Sequence, residues 1–398
     1  MEITKEQEIT ESKVENISNK EKIKNQEENA HSIKNNKKQN RNSSIELLKI
    51  FAMFLIVLSH AVPFWWIADT ANSINLDKVI ENNQQFILLI FRYLGQVGNL
   101  IFIISSAYFL LDSKKVKIQK AMYMFVDVFA ISMINVVIFV ALKVNVKTDC
   151  LIEQFMPITL KNNWFISTYI LYYLIHPWLN KIIDELSKRK LLLIDLGIAI
   201  FYIVNLVAEL FVPISNDILG VILIYFIVAY FKKYLKSYSN SKMLNFFTLL
   251  VSLFMLILSI VTINMLGTKE EYFAEKMLVM ANIYNPLILL ISISIFNIVN
   301  TTSFYIKGIN KISSLTMLIY LIHDNMLIRE YGKSAYWTYI KNIFTYKEVA
   351  KISFITAIWV FLASIIIAVI YKCTIEKIVK WVCDKAYKAY KVLSDVKI

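Results

Sequence analysis

Apolar runs of about the 20 residues that a helix needs to cross a bilayer recur from one end of this chain to the other. That repetition constrains the fold before any motif is considered, because such helices are stable in lipid and aggregate in water. The 398 residues are 57% hydrophobic with a mean hydropathy of +0.53, more apolar surface than one soluble core of this size can bury. Ten spans are predicted, at 45–67, 86–111, 121–142, 163–180, 191–213, 217–231, 244–266, 277–299, 312–328 and 352–372, the sixth and ninth being short. The expected fold class is all-α, a polytopic transmembrane helical bundle.

The net charge of +13 is compatible with nucleic acid as a partner until its distribution is followed. With ten spans the basic clusters all fall on one side: KNNKKQNR before the first span, SKKVKIQK after the second, SKRK after the fourth, FKKYLK after the sixth, and the Lys-rich tail after the tenth. The alternate loops carry Asp69, Asp77, Glu81, Asp149, Glu153, Glu270 and Glu271. By the positive-inside rule both termini are expected in the cytoplasm, the lipid bilayer is the partner, and nucleic acid is not. An odd span count would scramble the alternation.

Residues 1–40 are Glu, Lys, Asn and Gln with almost no aromatic residue, a composition that predicts a disordered cytoplasmic tail, in which His31 is a solvated residue. The tail lacks the apolar stretch of a cleaved signal peptide, so the first span is expected to serve as the insertion signal. Residues 41–375 form the predicted membrane domain, and 376–398 a basic cytoplasmic tail. Cys150 stands alone in a predicted outer loop while Cys373 and Cys383 lie at or beyond the cytoplasmic end of the last span, so no disulfide framework is expected. His31, His60, His176 and His323 lie on four different segments, and no metal site is expected.

Within the membrane the ionisable residues are the informative ones, since each is costly there unless it faces protein or a wet cavity. The stretch Arg41–Trp66, RNSSIELLKIFAMFLIVLSHAVPFWW, carries Glu46, Lys49 and His60. Eleven residues separate Lys49 from His60, about 20° past three full helical turns, and Glu46 falls about 40° from His60, so the three share one face. The second span sets Arg92, Gln96, Asn99 and Ser106 in a single polar stripe, with Gly95 and Gly98 beside it as a close helix contact or a backbone approached by ligand. In the fourth, Phe165, Tyr169, Tyr172 and His176 share a face; Trp and Tyr near interfaces commonly anchor a span, and Pro177 predicts a helix end. The ninth aligns Ser313, Thr316, Tyr320 and His323, with Asp324 and Asn325 following at once, a costly run unless it lines a wet cavity. Residues 329–351 mix aromatics with Lys, as expected of an interfacial amphipathic segment.

Four blocks, together spanning roughly 41–372, resemble the integral-membrane acyltransferase family 3. RNSSIELLKIFAMFLIVLSH is similar to the family's opening helix, which carries an Arg eleven residues before its catalytic His; that His falls on His60. GQVGNLIFIISSAYFLLDSKK is similar to its Gly-xx-Gly turn followed by Phe and Ile-Ser-Gly-Tyr-Phe, WFISTYILYYLIHPWLN to its Trp-Phe block, and SLTMLIYLIHDN to its closing Tyr-Leu-Ile-His-Asp-Asn block. Two positions depart. Lys49 stands where the family has Arg, keeping the charge and losing the planar fork, and Ala107 replaces the Gly beside Ser106.

The resemblance implies transfer of an acyl group, commonly acetyl, from cytoplasmic acyl-CoA to a hydroxyl of a cell-envelope polysaccharide or lipid-linked saccharide, with no permanently bound cofactor. It implies His60 as general base or as acyl carrier, with Glu46 or Asp324 orienting it. Lys49 would bind a CoA phosphate or stabilise charge developing on the thioester oxygen, and Lys114, Lys115, Lys117 and Lys120 would attract the polyanionic donor. Substrate contacts are expected from Arg92, Asn99, Ser106, Tyr108, Trp164, Tyr169, Tyr320, His323, Asp324 and Asn325. Some family members carry an extra extracytoplasmic domain after the last span; here an acceptor-side domain would come from a separate polysaccharide-biosynthesis protein, or none is needed. A bacterial plasma membrane is the expected location, in line with the heavy use of Ile, Lys and Asn. A saccharide or lipid transporter and a non-catalytic member of the same fold are the alternatives. Only seven Gly and five Pro and the lack of an internal repeat argue against the transporter, while Lys49 is the feature that makes the non-catalytic member thinkable.

Overall fold

The computed structural model describes residues 41–63, 83–158, 163–208, 217–267, 273, 281–343 and 348–395. The predicted N-terminal tail, Trp65 and Trp66, and the outer ends of several predicted spans lie outside these. Residues 43–398 form one compact unit. Every regular element among the described residues is helical. In order they are α1 (Ser43–Ala61), α2 (Asn83–Leu110), α3 (Ile118–Ala141), α4 (Thr148–Phe155), α5 (Trp164–Glu185), α6 (Lys188–Ala208), α7 (Asp217–Tyr234) and α8 (Lys236–Asn240). Then follow α9 (Lys242–Gly267), α10 (Pro286–Asn300), α11 (Lys307–Ser313), α12 (Thr316–His323), a π-helical turn (Ile328–Lys333), α13 (Ser334–Ile343), α14 (Val349–Cys373) and α15 (Ile375–Asp395).

Six of these, α1, α2, α3, α6, α9 and α14, are long and apolar enough to cross a membrane. The chain is a multi-pass membrane protein. About two thirds of the spanning windows of α1 and α2 are buried in protein (67% and 61%), against 22% for α6, α9 and α14, so the first two are the centre and the other three face outward. The outward faces carry Phe247, Phe254, Val137 and Trp359, all strongly exposed, as expected of surfaces solvated by lipid tails.

Close contact between α1 and α2 depends on the two glycines singled out in the sequence. A Cβ on Gly98 would stand 2.5 Å from the Ala52 carbonyl oxygen and 3.0 Å from Ile56 Cγ1, and one on Gly95 would overlap Ser59 Cβ. The glycines therefore serve a helix–helix approach, the small-residue device of membrane helices. Around this pair, α10, α11, α12 and α14 all pack against α1.

Two predicted elements differ. Pro177 does not end the fourth span: α5 continues through it to Glu185. Proline lacks the N–H that would reach the carbonyl four residues back. That carbonyl, of Tyr173, instead accepts from His176 Nδ1 at 2.6 Å, so His176 repairs the defect its neighbour makes. The predicted ninth span, 312–328, is broken into the end of α11, α12 and the π turn. At eight residues α12 is about 12 Å long, too short to cross a bilayer alone. Its flanks are polar and its backbone irregular, which is tolerated at such depth only where protein surrounds it; Ser313, Thr316, His323, Asp324 and Asn325 are all buried.

The Lys-rich tail is not featureless. Its residues 375–395 form α15, which packs Val379 and Cys383 against α3, where Tyr123 and Gln119 each donate to Asp384 at 2.5 Å.

Candidate active site

His60 sits one residue before the end of α1, and the break after α12 brings His323 and Asp324 to it. The tautomers follow from the hydrogen bonds. His323 Nδ1 lies 2.7 Å from the Ile319 carbonyl, which can only accept, so Nδ1 carries the proton and Nε2 a bare lone pair. That Nε2 is 3.1 Å from His60 Nδ1, and Asp324 Oδ1 is 3.3 Å from the same atom. With two acceptors facing it, His60 Nδ1 carries the proton and donates it to His323 Nε2, with the Asp324 carboxylate as a charge contact beside that bond. The remaining lone pair of a neutral His60 is therefore on Nε2.

Asp324 also holds two cations. Lys333 Nζ lies 3.5 Å from Oδ1 and Arg329 3.7 Å from Oδ2. Lys333, beyond the spanning helices, has its pKa drawn below the ordinary lysine value, chiefly by burial, with Asp324 acting in the opposite sense. From α2, Arg92 donates to the Ser59 carbonyl at 3.2 Å, fixing the turn that carries His60. A chain of aromatic rings, Trp164, Phe165, Tyr320 and His323, with centroids 5.6, 5.5 and 5.8 Å apart, braces the site from α5. Asn325 braces the neighbouring backbone, its Oδ1 accepting from the Leu327 N–H and its Nδ2 donating to Gln154 at 2.9 Å.

His60 and His323 open onto a cavity of about 640 Å³, walled by α1, α13, the π turn and the first half of α14. Its size is in the range of small-molecule sites.

Other residues singled out by sequence lie elsewhere. Lys49 and His60 do share a face of α1, but eleven residues along a helix is about 16 Å. Lys49 instead lies 3.4 Å from Glu46 and over the ring of Phe109, 5.8 Å from its centroid. Glu46 also accepts from Ser313. Of the two carboxylates expected to orient His60, Asp324 is in place and Glu46 is about 21 Å of helix away. Lys114 and Lys115 are exposed in the turn after α2, whose last turn carries Phe109, so they share the Lys49 end of the α1–α2 pair. Lys117 follows in the same turn, its backbone N–H donating to Tyr173. Tyr108 is there too, under Lys232 at 4.3 Å. Midway along α2, Asn99 donates to Gln96 at 3.2 Å, while Ser106 lies in the turn before the helix end and Tyr169 on α5. The α2 stripe thus runs from Arg92 at the histidines to Ser106, toward the end of α2 that carries the lysines.

Arg329 and Lys333 are the site residues that sequence reasoning missed. Among the described residues, no group of three or more His, Cys, Asp and Glu side chains is arranged to hold a metal ion.

A buried histidine with an oriented proton, a carboxylate behind it and a cavity before it suits proton transfer. A family model described as an acyltransferase domain, that of acyltransferase family 3, matches residues 42–374. The chain belongs to that family. No curated protein and no solved structure matches it. Membership makes the chain a membrane acyltransferase, and the matched residues run from the first residue before α1 to the one after α14. They include every member of the His60 cluster.

Proposed function

We propose that this family 3 acyltransferase moves an acyl group, acetyl in the first instance, from acyl-CoA to a hydroxyl of a cell-envelope polysaccharide or lipid-linked saccharide, with His60 as general base. The observation that carries the reading is the contact of His60 Nδ1 with His323 Nε2 and the Asp324 carboxylate. With Nδ1–H committed to His323 and Asp324 beside it, Nε2 is left to receive a proton. A sugar hydroxyl is a weak nucleophile at neutral pH, and a positioned base contributes on the order of 10² to 10⁴ in rate. As the hydroxyl oxygen bonds to the thioester carbonyl carbon, its proton passes to His60 Nε2. The C–S bond then breaks, and the imidazolium returns the proton to the departing CoA thiolate. Asp324 stabilises the imidazolium while it exists, as a carboxylate behind a catalytic imidazole does elsewhere.

Donor binding is assigned to the opposite end of α1. Lys49, Lys114, Lys115 and Lys117 would meet the CoA phosphates there, and the extended pantetheine arm would carry the thioester along α1 toward His60. This separation favours phosphate binding over charge stabilisation at the carbonyl as the role of Lys49. The proposed topology has ten spans and both termini in the cytoplasm of a plasma membrane, with a polysaccharide-biosynthesis protein as a partner. Helices α5, α7, α10 and α11–α12 supply the four spans that length or composition alone does not establish.

Membranes containing the intact chain or His60→Ala, given labelled acetyl-CoA, test the reading. Label in envelope glycan should fall on the order of 10²-fold or more with the substitution at equal expression. Equal labelling would make His60 structural and remove the base.

A further inference from the structure

The cavity beside His60 has polar and apolar walls. His60, His323 and Lys333 line it, with Glu348 and Lys351, 3.7 Å apart, at the start of α14. Further along α14 the wall is Ile352, Ile355, Thr356 and Trp359. Its polar atoms are already engaged: Thr356 Oγ1 and the Tyr336 hydroxyl lie 2.7 Å apart, tying α13 to α14.

Two of these wall residues are also outside. Ile355 is 43% exposed and Trp359 69%, on a helix long and apolar enough to span the membrane. A side chain that lines a cavity and also faces outward marks the mouth of that cavity. Trp359 lies ten residues into α14, about 15 Å along its axis, so the medium at this mouth is hydrocarbon. The far wall is Val57 and Ala61 of α1, both buried.

A free saccharide would gain little from such a wall, because its hydroxyls would lose water and find few donors or acceptors in exchange. We propose that the opening beside α14 takes the hydrocarbon chain of a membrane-anchored saccharide acceptor, which slides in from the bilayer and presents its sugar hydroxyl to His60. The proposal rests on the acyl-transfer reading and deepens it by fixing the acceptor class. The chain belongs to the acceptor and not to the donor, because the acyl group proposed for the donor, acetyl, has only two carbons and would leave this wall unfilled.

The test uses the purified full chain in lipid nanodiscs and dodecyl maltoside carrying a diazirine in its alkyl tail. Photolysis should label Val57 and Ala61 on the buried far wall, and excess dodecyl maltoside but not maltose should abolish that label. Thr356→Trp, which fills the mouth without touching the His60 cluster, should remove it while leaving lipid-facing Phe254 labelled. Val360→Trp is the second filling variant should the first fail to fold. Label confined to Ile355 and Trp359 would overturn the proposal. In membranes, label from acetyl-CoA should reach organic-extractable glycolipid and be lost in both Thr356→Trp and His60→Ala. Label that depends on His60 but enters only non-extractable polymer would reject the lipid acceptor and leave the base intact. Label independent of His60 would reject the base itself. Loss of palmitoyl transfer with acetyl transfer retained in Thr356→Trp would assign the opening to the donor's chain instead, and overturn the proposal.

Discussion

Asp324 is the residue on which the site converges: it lies 3.3 Å from His60 Nδ1 and faces Lys333 and Arg329 at 3.5 and 3.7 Å. Asp324→Asn keeps the volume and removes the charge, leaving the imidazolium without its counter-ion. Transfer should drop on the order of 10²-fold in kcat, with KM changed little, since the loss falls on the transition state. A raised KM at unchanged kcat would assign Asp324 to ground-state binding. His60, His323 and Asp324 were legible because an ionisable group is conspicuous in an apolar helix. Lys333 was not, for a geometric reason. Nine residues at 100° each place it on the side of a helix opposite Asp324. Only the break after His323 and the π turn at Ile328–Lys333 bring it back, and neither has a period to read.

At the scale of the element, the α1–α2 pair decides whether His60 is held in place. Gly98→Ala would drive a methyl into the Ala52 carbonyl and Ile56, and since that obstacle is backbone the helices must move apart. Overpacking of this kind costs about 1–3 kcal/mol, so the thermal transition of the purified protein should fall, and more so than for Gly197→Ala, which meets nothing within 4 Å. Equal transitions for the two variants would mean that α1 and α2 are not in close contact. The glycines could be read from the sequence as a contact, though not which helix they approach, because period and spacing report one helix at a time. The continuation of α5 through Pro177 was hidden for the same kind of reason. Proline's missing donor is visible in the sequence, but its repair by the His176 side chain is a three-dimensional event.

For the whole molecule, everything assigned to donor and acceptor depends on which end of α1 faces the cytoplasm. The three cysteines can decide it. Cys373 is exposed at the end of α14, whereas Cys383 is buried between α15 and α3 and Cys150 is buried on α4. Burial pushes the Cys383 thiol up, with Asp127 and Asp384 adding to it. Because the thiolate is the reacting species, a raised pKa means less of it at neutral pH and a reaction rate that keeps climbing above the ordinary thiol range of about 8.5. A membrane-impermeant maleimide should therefore modify Cys373 rapidly in inside-out vesicles and not in sealed right-side-out ones. Cys383 should lag it at pH 7, narrowing the gap as pH rises. Val379→Asp, which puts a charge into the α15–α3 contact, should release Cys383 to react like Cys373. Modification of Cys373 from outside would invert the topology. The lysines around Lys49 would then face away from cytoplasmic CoA, the His60 cavity would open on the donor's side, and the division of α1 into a donor end and an acceptor end would have to be reversed.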